Sequence, residues 1–111
     1  ADSPRLSGEA RRSILGADEV YVSAASIWEA AIKAGLGKIQ GDMAQLAEAI
    51  GGSGFIELPV TAVHAARVAE LPLHHRDPFD RLLVAQAQVE SVTLLTSDPL
   101  LGRYPGPIRC V

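Results

Sequence analysis

Apolar residues recur every four positions at Leu6, Ala10 and Ile14, which predicts a helix over residues 3–15 with one apolar stripe, closed by Gly16. Val20-Tyr21-Val22 is short, β-branched and aromatic and reads as a strand. Residues 23–34 return to helical spacing, with Ile27, Ala30, Ala31 and Ala34 on one face, and Gly35 and Gly37 end that run. A second helix opens at Asp42, runs to Ile50 and is closed by Gly51-Gly52. Phe55-Ile56-Glu57-Leu58 reads as a strand, and Thr61 caps a helix from Ala62 to about Leu71. Residues 72–76 form a loop, and Asp77-Pro78 opens a helix through about Glu90. That helix is apolar nearly all round at Leu82-Leu83-Val84-Ala85, which predicts burial. Val92-Thr93-Leu94-Leu95-Thr96 is the clearest strand, Asp98-Pro99 starts a short helical turn, and residues 107–111 form a last short strand.

Strands alternate with helices throughout, which predicts an α/β fold: a three-layer α/β/α sandwich around a mainly parallel sheet. No repeat, linker or low-complexity tract divides the chain, so residues 1–111 form one domain. Apolar residues make up 48% and charged residues 21%, enough for one modest core. No apolar run has the length of a membrane span, and no secretory signal is visible. Cys110 is the single cysteine, so no disulfide forms within the chain, which fits a reducing cytoplasm. The net charge of −3, from 13 acids and 10 bases, lacks the basic excess of a non-specific nucleic-acid binder. A nucleic-acid substrate would therefore need a bound cation or a partner to offset its phosphates.

Three carboxylates occupy equivalent places in the strand–helix units. Glu29 lies in the second turn of the helix after Val20-Tyr21-Val22, Asp80 in the first turn of its helix with Asp77 just before it, and Asp98 directly after the strand ending at Thr96. Sites of open parallel sheets form at the carboxyl ends of the strands, so these acids can converge on one edge. Converging carboxylates repel one another unless a cation lies between them, and oxygen ligands select hard ions such as Mg²⁺ or Mn²⁺. A structural reading stands beside this one. Asp77-Pro78 and Asp98-Pro99 are also ordinary helix starts, and Glu29 also has Lys33 four residues on as an ion-pair partner. His74-His75 has no third ligand suitably spaced nearby and reads as a solvated loop pair. Arg81 can touch phosphate or form a surface ion pair.

Three blocks carry a resemblance that spacing alone does not. The run from Glu19 through Ser23-Ala24-Ala25-Ser26-Ile27-Trp28-Glu29 to Lys33, followed by Gly37-Lys38-Ile39, is similar to the second-strand block of VapC-type PIN domains. So are His75-Arg76-Asp77-Pro78-Phe79-Asp80-Arg81-Leu82-Leu83-Val84-Ala85-Gln86-Ala87 and Thr93-Leu94-Leu95-Thr96-Ser97-Asp98, in the family's order. The resemblance implies a PIN-like α/β/α fold and Mg²⁺- or Mn²⁺-dependent cleavage of RNA. Glu29, Asp80 and Asp98 match the family's second, third and fourth acids. Asp77 is an extra acid that can join the metal set, and Thr96 matches a hydroxyl position near the metal. The resemblance further implies a toxin held in check by a VapB-like antitoxin, a homodimer, and a cytoplasmic place of action.

The chain departs from the pattern at its start. The family's first acid ends an N-terminal central strand, in a stretch such as Asp-Thr-His, and nothing here matches it. Asp2 precedes Ser3-Pro4 and has no hydrophobic strand around it. The chain opens without methionine, so the natural frame is expected to begin upstream of Ala1, or the chain has been trimmed. Lacking that strand, backbone groups on its neighbours would be left unpaired or would borrow pairing from a second copy. Two rivals to a ribonuclease follow: a degenerate PIN domain that binds an antitoxin and dimerises without cutting, and an unrelated α/β domain whose acids are all caps.

Overall fold

A computed structural model describes residues 8–111. The predicted first helix is observed as α1, Gly8–Gly16; its residues 3–7, with Leu6, and also Asp2 lie outside the described residues. Strand β1, Tyr21–Ser23, leads directly into helix α2, Ala24–Gly35, because Ser23 ends the strand and caps the helix, its hydroxyl accepting from the Ala25 amide. Helix α3, Met43–Gly52, is capped by Asp42, whose carboxylate accepts the amides of Ala44 and Gln45. The helix runs through Gly51-Gly52 instead of ending there. It stops where Gly54 takes a φ of +84°, which lets the Phe55 amide reach back to the Ile50 carbonyl.

Strand β2, Ile56–Leu58, is followed by helix α4, Ala62–Arg67, under a reciprocal cap. Thr61 Oγ accepts the His64 amide, and His64 Nδ1 accepts the Thr61 amide. The helix expected to reach Leu71 changes at Val68 into a 3₁₀ turn, Val68–Glu70. Two causes coincide: the Arg81 guanidinium takes the carbonyls of Val68 and Leu71, and Pro72 pushes Leu71 into an extended conformation at φ −80°, ψ 136°. Helix α5, Pro78–Glu90, is followed by strand β3, Leu94–Thr96, a 3₁₀ turn, Leu101–Arg103, and strand β4, Ile108–Cys110. None of the helices among the described residues is long and apolar enough to cross a membrane.

The expected parallel pairing is observed throughout, and the fold is α/β. The strands nevertheless fall into two pairs. In one, Tyr21 lies opposite Ile56 and Ser23 opposite Leu58; in the other, Leu94 lies opposite Ile108 and Thr96 opposite Cys110. Among the described residues no ladder joins β1 to β3. An open cavity of about 1280 Å³ is lined by both pairs, by Ala10 and Ile14 of α1, and by Leu83 and Gln86 of α5.

The core is correspondingly one-sided. Leu71, Val84, Ala85, Leu101 and Tyr104 form the buried cluster, with Leu94 and Ile108 against it. It lies on the β3–β4 side, while α3 buries no residue. The predicted burial of α5 is met at Val84 and Ala85, both fully buried. The same helix also buries Gln86, which donates to the Pro59 carbonyl and accepts a 2.5 Å hydrogen bond from the Ser23 hydroxyl. Next to it, His64 Nε2 lies 2.7 Å from Glu90 on the last turn of α5. Since Nδ1 accepts an amide, Nε2 carries the ring proton and donates it to that carboxylate.

Replacing Ser23 by alanine removes a helix cap and strands the Gln86 carbonyl in the interior. A loss of about 2 kcal/mol is expected in urea unfolding, within the usual range for an unsatisfied buried acceptor. Ser23→Thr keeps the hydroxyl and should lose clearly less.

Candidate active site

Asp80 and Asp98 come together although they belong to different strand–helix units, and a histidine lies between them. Asp98 follows β3, where its own amide donates to Thr96 Oγ at 3.0 Å and its carboxylate accepts the Leu100 amide at 2.9 Å. Thr96 thereby fixes the backbone that presents Asp98. Asp80 sits in the first turn of α5. His75 Nε2 is 2.8 Å from the Asp98 carboxylate and 3.4 Å from that of Asp80. One ligand atom from each of the three residues lies within 4.8 Å of the others.

The loop carrying His75 is held from below. Tyr104 is buried, and its hydroxyl accepts the amides of His74 and His75 at 3.2 and 2.9 Å. Arg81 donates to the same hydroxyl and to the carbonyls of Pro72, Val68 and Leu71. The Arg81 guanidinium is thus engaged with the loop backbone. The imidazole orientation is set by a further bond, since His75 Nδ1 accepts the Asp77 amide at 3.0 Å. In the neutral ring the proton therefore resides on Nε2, facing the acids.

The remaining expected site residues differ in their roles. Asp77 caps α5, accepting the amides of Phe79 and Asp80. Glu29 lies 3.9 Å from Lys33, as the structural reading anticipated, and stands outside the close group of ligand atoms. Its charge still reaches Asp80, whose carboxyl it helps to push up. Trp28, beside it, is exposed and packs in a T-shaped contact with Phe79, ring centroids 4.9 Å apart, which ties α2 to the start of α5. His75 is the functional candidate that sequence reasoning set aside. Its partner Asp98 is 23 residues away, so local ligand spacing carried no signal.

The two central acids titrate in opposite directions. Burial pushes the Asp80 carboxyl above its ordinary value, helped by repulsion from Asp77, Glu29 and Asp98 and opposed by His75. The Leu100 amide, then His75, hold Asp98 below its ordinary value. This donor set fits a divalent cation: carboxylates converge, and one of them is destabilised in its ionised form by its neighbours.

A raised folded pKa means that Asp80 favours the fold while protonated and that this contribution is lost as the pH rises through the folded pKa. Asp80→Asn should therefore raise the melting temperature of the metal-free protein at pH 7 by a few degrees. The advantage should vanish below the ordinary carboxyl value of 3.8. Asp98→Asn should do the opposite at pH 7, because a depressed pKa stabilises the fold above the unfolded value and fails as the pH falls. Differential melts across pH 3–7 check both signs.

No curated protein and no solved structure matches the chain. The profile described as PIN domain does match it, over residues 2–107. PIN domains are α/β folds and generally divalent-metal-dependent nucleases, in agreement with the parallel strands and the paired carboxylates described above. With nearly its whole length matched, the chain belongs to the PIN domain family.

Proposed function

We propose that the protein is a metal-dependent endoribonuclease of the VapC type, the toxin of a toxin–antitoxin pair acting in the cytoplasm. The observation that carries this reading is the meeting of Asp80 and Asp98 at the end of β3 and the start of α5, with Glu29 near enough to act on Asp80 electrostatically. Asp80, Asp98 and Glu29 would hold Mg²⁺ or Mn²⁺. Such a cation, when bound, activates water and offsets charge on a phosphoryl oxygen. The chain's own residues supply the placement. Thr96 fixes the Asp98 backbone, Asp77 fixes the first turn of α5 and hence Asp80, and Trp28 against Phe79 fixes α2, which carries Glu29. The acidic balance of the chain fits a site that needs a cation before RNA approaches, and it fits a basic antitoxin segment, of the VapB kind, as its inhibitor.

Cleavage of single-stranded RNA should need added Mn²⁺ or Mg²⁺ and fall by about 100-fold or more in Asp80→Asn and Asp98→Asn, since ligand loss exceeds the usual cost of disturbing ligand supports. Cation-independent cleavage, or cleavage that survives both substitutions, would sink the reading.

The division of the sheet favours a second reading: a PIN domain that binds an antitoxin and forms a homodimer without cutting. Among the described residues the two strand pairs share no ladder and line one open cavity, which leaves room for a further strand. Calorimetric Mn²⁺ titration separates the readings when run on this chain and on one carrying upstream residues. Binding by the extended chain alone supports an enzyme completed by a further acid. Binding by neither supports the non-catalytic module.

A further inference from the structure

We infer that His75 is a built-in competitor of the cation: its neutral Nε2–H bridges Asp98 and Asp80 in the metal-free protein and must withdraw before a divalent ion can bind them. The inference rests on the metal site proposed above and concerns how that site is kept closed.

The geometry separates a competitor from a ligand. A neutral imidazole binds a metal only through a nitrogen that carries no proton. Here Nδ1 is occupied as the acceptor of the Asp77 amide at 3.0 Å, so Nε2 holds the proton and donates to Asp98 at 2.8 Å. The nitrogen nearest the acids is therefore a donor. To become a ligand there, the ring would have to move its proton to Nδ1, where it would meet the Asp77 N–H head-on.

The loop backbone favours neither rearrangement. The amides of His74 and His75 are tied to the Tyr104 hydroxyl, and Arg81 holds the carbonyls of Val68, Leu71 and Pro72. With the backbone fixed, the available motion is rotation of the His75 side chain, which breaks both of its bonds. Metal-free protein gains the Nε2–H bond to a carboxylate and forfeits it when a cation arrives. That bond subtracts from the apparent affinity for the ion.

Two substitutions test this by Mn²⁺ calorimetry on the whole chain, with thermal melts to show that each variant is folded. Asparagine places its side-chain oxygen near Nδ1, so His75→Asn keeps an acceptor for the Asp77 amide and loses the donor to the acids. Glutamine reaches the position of Nε2 with an amide N–H, so His75→Gln keeps the donor. His75→Asn is expected to bind Mn²⁺ about tenfold more tightly than wild type, the worth of one hydrogen bond to a charged group. His75→Gln should stay near wild type. A structural role alone cannot produce tighter binding. Weaker binding by His75→Asn would make His75 a ligand, and unchanged binding would make it a bystander; either overturns the competitor role and leaves the metal site standing. The same pair is titrated in the chain carrying upstream residues; absence of binding by wild type and His75→Asn in both chain lengths overturns the metal site itself, and the competitor with it.

Discussion

Helix α5 is the one element that both halves of this fold need. The strand pairs share no ladder among the described residues, so their relative position depends on side chains. The hydrogen bond from Ser23 to Gln86 is the tightest of these links. It joins the end of β1 to the buried face of α5, while Val84 and Ala85 of the same helix sit in the core on the β3–β4 side. A polar residue in that buried position is costly unless satisfied, and Gln86 is satisfied at both ends of its amide, by Ser23 and by the Pro59 carbonyl. Both partners lie on the β1–β2 side. The amide thus acts as a two-pronged connection where an apolar residue would give only non-directional contact.

The candidate site inherits its precision from that arrangement. Ser23 caps α2, which carries Glu29, and Gln86 lies on α5, which carries Asp80. One hydrogen bond therefore relates the two helices on which two of the three acids sit. The third acid is placed separately, through Thr96 and the turn after β3. A second polar center, the Tyr104 hydroxyl, anchors the loop that brings His75 to Asp98. Tyr104 belongs to the hydrophobic cluster, so its phenol links the core directly to the loop that carries His75.

Much of this could be read along the chain, because it is written in local chemistry. Asp42, Thr61 and Asp77 stand where helices were expected to open, and each accepts the amides that a cap should accept. The burial of α5 followed from its apolar run. Local chemistry was also where the reading slipped: Gly51-Gly52 looked like a terminator, yet the left-handed turn falls at Gly54. The misses otherwise share one cause, which is sequence distance. Arg81 reaches carbonyls as many as 13 residues away, Ser23 meets Gln86 across 63 residues, and His75 meets Asp98 across 23. No periodicity or spacing rule encodes such pairs, because they arise only once the helices have packed. Of the candidate site, Asp80 in a first helical turn and Asp98 after a strand are legible along the chain and come together, but the residue that sits between them is not.

The opposed titration of Asp80 and Asp98 shows why that residue matters. Both carboxylates face the same imidazole, yet Asp98 also receives a backbone amide and is partly open to water, whereas Asp80 is more buried and surrounded by acids. A single neutral donor cannot satisfy both equally, and its shorter bond goes to Asp98. Asp80 is left as the less relieved charge of the pair. A hard cation would relieve it more fully than an N–H can, because a full positive charge acts strongly on every acid in range. Asp80 is thus the member of the group that a bound cation would favour most.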